Sequence, residues 1–215
     1  MYFEYGEDAT SYLAAKDERM RDVIARVGHI YREVDPDIFS SVVHHIIGIG
    51  QQISTAAQAT VWRRMRDGLL CVDAEHIPSA GAQELQSFGM TYRKAEYIMD
   101  FAARVDSGSF SPERIWELSD ADAIAELSSL RGIGVWTAEM ILLFCMQRAN
   151  IFSFDDLAIK RGLRMVYHHR KIDRAMFEKY RRRFSPYCSV ASLYLWAVSG
   201  GAIPEMRDYA PKGAK

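Results

Sequence analysis

Leu130-Arg131-Gly132-Ile133-Gly134-Val135-Trp136-Thr137-Ala138 is the stretch whose reading decides the fold. Upstream of it, Asp120 to Leu130 reads as a short amphipathic helix; downstream, Val135 to Met146 reads as a second, mostly apolar one. Two glycines around one apolar residue leave a very tight link, and both are expected to use backbone angles that residues with a Cβ avoid. Ile133 is expected to plug down between the two helices. The first N–H groups of the second helix are then bare at the positive end of its dipole, an arrangement that attracts a phosphate. On these residues alone, a plain turn between two core helices remains an equal reading.

The neighbourhood decides between them. Asp156 follows Gly134 by 22 positions, inside Phe152-Ser153-Phe154-Asp155-Asp156-Leu157-Ala158-Ile159-Lys160. A Gly-x-Gly hairpin, an apolar helix, a short link and an Asp opening a new helix resemble the helix–hairpin–helix DNA glycosylase superfamily. Within it the resemblance is to 3-methyladenine DNA glycosylase II, over roughly residues 36 to 200.

Bulk properties are compatible with this. The 215 residues suffice for one or two compact units; 49% are apolar and 26% charged, ordinary for a globular protein. No apolar run approaches the roughly 20 residues of a membrane span. Met1 to Thr10 is acidic and aromatic, unlike a signal peptide. Cys71, Cys145 and Cys188 are too scattered for a zinc or iron–sulfur ligand set, and a reducing, cytoplasmic setting (nucleoid-associated in a prokaryote) is expected. The net charge of −1 would not suggest a DNA binder, but its distribution does: Lys160 to Arg183 holds ten Lys/Arg against Asp173 and Glu178. That stretch reads as a phosphate-facing surface or, more plainly, as solvated helices.

Nearly the whole chain reads as helix, so the fold class is all-α. Helices are expected over Asp8 to Ile30, from Pro36-Asp37 to Ile47, Thr55 to Arg66, Ala82 to Phe88, Tyr92 to Val105, a short one from Pro112, Asp120 to Leu130, and about 157–168, 173–183 and 188–199. Pro78 and Gly81 mark a loop, and the tail from Pro204 reads as loose. The resemblance implies one glycosylase unit over 1–215, made of two helical subdomains with a cleft between them. Residues 45–153 would form the central one, ending in the hairpin, and 1–44 with 154–215 the second. It leaves no room for the N-terminal sheet domain of some members.

The resemblance also assigns roles. Asp156 matches the catalytic carboxylate that stabilises positive charge building on the sugar; the adjacent Asp155 could share the role, and one of the two could simply be a helix cap. Trp136 stands where bifunctional relatives carry the Lys that forms a Schiff base, so a monofunctional enzyme without lyase activity is implied. Trp136 and Trp196 would line the base pocket, where an indole face attracts a cationic alkylated purine. Met140 stands where a family member carries a Tyr one helical turn after Trp136, so base preference is open to differ. Gln52, with Gln51 beside it, is the candidate wedge for the gap left by a flipped base, leading through Ser54 into the next helix. Gly132, Ile133, Gly134, Trp136 and Thr137 would hold a phosphate by their backbone, with Lys160 and its cationic neighbours assisting. A monovalent cation on the carbonyls of Arg131 and Ile133 is compatible with the family. Thr91-Tyr92-Arg93-Lys94-Ala95 reads as a helix start whose Lys94 could reach a phosphate. His44-His45 and His168-His169 are adjacent pairs whose rings diverge on a helix, so no catalytic metal is expected, and no cofactor. The expected activity is excision of alkylated purines from double-stranded DNA by a monomer. The alternatives are a glycosylase for uracil or an oxidised base, and a non-catalytic helix–hairpin–helix DNA-damage binder.

Overall fold

Short polar side chains begin most of the helices. In a computed structural model describing residues 1–48, 54–69 and 71–211, Asp17, Ser54, Thr91, Ser111, Ser119, Asp156 and Asp173 each accept a hydrogen bond from the backbone N–H three residues on. Each such cap stabilises a helix by about 1 kcal/mol. The helices are α1 (Glu7–Lys16), α2 (Glu18–Val27), α3 (Ile38–Gly48), α4 (Thr55–Gly68), α5 (His76–Ser87), α6 (Tyr92–Asp106), α7 (Pro112–Ile115), α8 (Asp120–Ser128), α9 (Val135–Phe144), α10 (Leu157–Tyr167), α11 (Arg174–Phe184) and α12 (Cys188–Ser199). Among the described residues the only β pairing is an isolated antiparallel bridge, Tyr2 to Glu33. No described helix is long and apolar enough to cross a membrane.

The chain divides into two compact units, residues 1–34 with 147–215, and residues 35–146. In the first, α10 packs along α12, with α2 against both and α1 against α11 and α12. Its core is built from fully buried Leu13, Met20, Val23, Leu163, Phe177, Phe184, Leu195 and Val198. In the second, α3 is buried along most of its length and packs on α4, α6, α7 and α9, while α5 lies on α6 and α8 on α9. Fully burying one such side chain contributes about 1.5–3 kcal/mol, so each unit holds a substantial core.

Three sequence expectations need correction. The helix expected over Asp8 to Ile30 is two helices broken at Asp17, whose backbone is extended (φ −149°, ψ 115°). The break frees the Asp17 carboxylate to cap Met20 N (2.9 Å) and to accept from Arg183 Nη1 (2.5 Å). The loop expected at Pro78 and Gly81 is a helical turn with a kink at Gly81, whose φ of 76° suits glycine. The tail is not loose as far as it is described: Arg164 donates through Nε and Nη2 to both carboxylate oxygens of Asp208 (2.7 and 2.6 Å), and His168 packs on Tyr209. The guanidinium holds the Asp208 carboxyl below its ordinary range.

Candidate active site

The α8–α9 hairpin has the predicted form. Leu130 and Ile133 are buried, and Ile133 N donates back to Leu130 O at 3.1 Å, closing the turn under the second helix. Gly132 takes φ 88°, a left-handed conformation that a Cβ would strain. Gly134 does not. It sits at φ −93°, ψ 174°, extended backbone that any residue adopts, and a Cβ built on it meets nothing within 4 Å. Its distinction is chemical: no side chain caps the start of α9. Val135 and Trp136, the first residues of that helix, are 51% and 44% exposed. Arg131 stands at the same turn, its guanidinium 4.9 Å from the Tyr97 ring centroid and 3.9 Å from Asp100 Oδ1.

The start of α10 is built the opposite way. Asp156, 6% exposed, is the helix's own cap: Oδ1 accepts from Ile159 N (2.7 Å) and from the Trp196 indole Nε1 (3.1 Å). Asp155 is exposed and does not cap the helix. The two aspartates, left open by sequence, are thereby distinguished: one carboxylate is fixed in a buried setting and the other is solvated. The approach of Trp196 depends on close packing of α10 on α12. A Cβ at Gly162 would lie 2.4 Å from Leu195 O, so only glycine allows that separation. The link leading to Asp156 is fastened by α12 as well. Ser189 Oγ donates to Arg148 O (2.5 Å) and accepts from Ile151 N (3.0 Å), and Ser192 Oγ reaches Ile151 O at 3.4 Å. Phe152 then stacks on Phe177 with ring centroids 4.4 Å apart.

These two helix starts lie within a segment, residues 47–186, that matches the family described as HhH-GPD superfamily base excision DNA repair protein. The chain belongs to this superfamily. The chain is 26% identical over 212 residues to the DNA-3-methyladenine glycosylase of Bacillus subtilis (strain 168), covering 92% of this chain and 69% of that protein. It is 29% identical over 160 residues to the Bacillus subtilis protein YfjP, covering 69% of this chain and 55% of that one. It thus spans little more than half the length of some of the superfamily relatives it matches. Among solved structures, DNA-3-methyladenine glycosidase from Bacillus halodurans superposes with a TM-score of 0.83 at 28% identity, over 97% of both chains.

The remaining superfamily residues named from sequence are distributed as follows. Trp136 lies half-exposed at the start of α9, Thr137 and Met140 of the same helix are buried, and Trp196 is half-buried. Gln51 and Gln52 lie outside the described residues. Ser54 caps α4 through Ala57 N at 3.2 Å. Lys94 is not directed to a phosphate: its Nζ donates to Ile47 O (2.7 Å) near the end of α3, and burial lowers its pKa. His45 is half-buried on α3, its ring Nδ1 bonded to Ser41 O (2.7 Å) and its pKa pushed down to about 4 by desolvation, which outweighs the carbonyl's opposing pull. His168 caps α10 in the left-handed conformation, and His169 bonds to Tyr180 Oη at 2.7 Å. Among the described residues no group of three metal-ligating side chains converges.

The basic stretch is not uniform. Arg164, Arg181 and Arg183 pair with Asp208, Glu178 and Asp17, so these cations are neutralised within the fold. Two contributors were missed from sequence. Gly162 was signalled by a glycine inside a helical pattern. The indole N–H of Trp196 had no sequence signal beyond the residue's presence.

Proposed function

We propose that this chain is a monofunctional DNA glycosylase that flips alkylated purines, of the 3-methyladenine and 7-methylguanine type, out of duplex DNA and excises them by hydrolysis. The observation that carries this reading is the Asp156 carboxylate, buried at the start of α10 and oriented by two donors, Ile159 N and Trp196 Nε1. In the reaction the bond between the purine nitrogen and the sugar C1′ breaks, and its electron pair leaves with the base. An alkylated purine is already cationic, so it departs neutral and no general acid is needed. The sugar becomes oxocarbenium-like, and Asp156, fixed beside it, stabilises that charge. Water adds to C1′ and its proton passes to the carboxylate or to solvent. An abasic site remains.

Trp136 supports hydrolysis without strand cleavage, since an indole cannot form the Schiff base that β-elimination requires. Trp136 and Trp196 supply aromatic faces for a cationic base, worth about 0.5–2 kcal/mol each, and Met140 contributes to the pocket behind Trp136. The start of α9 at Gly134, which carries no side-chain cap, receives a DNA phosphate, with the backbone of Gly132, Ile133, Trp136 and Thr137 around it. A monovalent cation there would be held by the carbonyls of Arg131 and Ile133, neither of which accepts a backbone hydrogen bond among the described residues. Gln51, Ser54 and Lys160 belong to the DNA-facing set, and Gln52 is the wedge. We take the active form to be a monomer, acting in the cytoplasm or on the nucleoid.

The test is base release from methylated duplex DNA, with the released bases identified and strand integrity followed without alkali. Release of 3-methyladenine or 7-methylguanine with the strand intact is expected. Release only from uracil or oxidised-base duplexes would overturn the substrate assignment. Strand cleavage without alkali would overturn the monofunctional one, and tight binding without any release would favour a damage binder.

A further inference from the structure

The cations between Lys160 and Arg183 are held in two different ways. Arg164, Arg181 and Arg183 each lie within 2.7 Å of a carboxylate oxygen, which cancels their charge. Lys160 and Arg174 are held by a ring instead. Lys160 Nζ lies 4.7 Å, and Arg174 Cζ 4.1 Å, from the centroid of Phe154. Phe154 is itself set edge-on against buried Phe177, with centroids 5.2 Å apart. An aromatic face attracts a cation through its quadrupole and leaves the net charge intact. The nearby acids do not cancel it. The Asp173 carboxylate caps Met176 N, and among the described residues Asp155 lies beyond ion-pair distance of both cations. Phe154 thus fixes two unneutralised cations two residues before Asp156, and Lys160 rises from the first turn of the helix that Asp156 caps.

We propose that Lys160 and Arg174, mounted on Phe154, form a phosphate-binding site for the DNA backbone flanking the nucleotide on which Asp156 acts. This rests on the reading of Asp156 as the group that faces the sugar. The ring's role is preorganisation. A lysine or arginine on a free stem loses rotamer freedom on meeting a phosphate, whereas one already seated on a ring loses less. Arg164, Arg181 and Arg183 do not join this site, because their charges are already paired.

The experiment measures equilibrium binding to a duplex containing an abasic-site analogue, as a function of salt, for the full chain. Arg174→Gln and Lys160→Gln are each expected to lower the slope of log K against log salt by about 0.9 and to weaken binding on the order of tenfold at 0.1 M salt. Arg174→Lys should restore the slope. Phe154→Leu keeps both charges and should weaken binding several-fold with little change in slope. Arg21→Gln, which removes the same charge from a pair with Glu18, should leave the slope unchanged. A wild-type slope in Arg174→Gln and Lys160→Gln, or an equal drop in Arg21→Gln, would overturn the proposal. Binding alone decides this, whereas base release by wild type decides the glycosylase reading, so the two can fail separately.

Discussion

The starts of α9 and α10 use the same backbone chemistry to opposite ends. Both expose N–H groups at the positive end of a helix dipole. At α10 the chain supplies its own anion, Asp156, and buries it against Trp196. At α9 it supplies nothing: Gly134 occupies the cap position with room for a side chain and a backbone that any side chain would tolerate. A glycine there costs the helix only a few tenths of a kcal/mol relative to serine. That small cost leaves the start of α9 available to an anion from elsewhere, which the proposed function takes to be a DNA phosphate. The comparison teaches that a helix start is assigned to binding or to chemistry by whether its cap is filled from within.

The comparison is sharpest at Asp156. Asn is as good a cap as Asp, so Asp156→Asn should fold with a melting temperature close to that of wild type. It should nevertheless lose at least about 100-fold in single-turnover base release, because the charge proposed to stabilise the sugar is gone. Gly162→Ala probes the packing that brings Trp196 to that carboxylate. The added Cβ must push α12 away from α10, at a cost of about 1–3 kcal/mol in stability by denaturant titration, with reduced base release at saturating DNA.

The unit that carries the hairpin should respond to acid. His45 is neutral in the fold, with a pKa of about 4, while the unfolded chain titrates near 6.5. As pH falls below 6.5 the unfolded state takes up a proton that the folded state refuses until about pH 4. Stability is therefore lost across that window, by up to about 3 kcal/mol. His45→Gln should flatten the dependence, as read by thermal melts between pH 7 and pH 4.5. The smallest effect is expected at Trp196→Phe, which keeps a ring but removes the indole donor to Asp156. A several-fold loss in the rate step with unchanged DNA affinity is expected; unchanged kinetics would leave Trp196 as a pocket wall alone.

Much of this was legible in the sequence because it is local. The hairpin, its buried Ile133, the helix beginning after Asp156 and the cap at Thr91 all follow from residues within four positions of one another. What was not legible depends on partners far along the chain. Asp17 breaks the first helix while held by Arg183, and Arg164 is neutralised by Asp208, so neither the break nor the loss of three cations from the basic stretch could be read from spacing. Gly134 was read for conformational freedom, which Gly132 uses and Gly134 does not. Lys94 carried a phosphate-binding look in sequence, but its ammonium is bonded to the end of α3.

The most direct test sets the two helix starts side by side, measuring DNA affinity and single-turnover base release on methylated duplex for Gly134→Ser and Asp156→Asn. Gly134→Ser fills the open cap, so affinity should fall about five- to tenfold while the rate at saturating DNA stays near wild type. Asp156→Asn should do the reverse, binding normally and releasing almost nothing. Wild-type base release by Asp156→Asn, or full DNA affinity in Gly134→Ser, would contradict the division between a start left open for DNA and a start filled for chemistry.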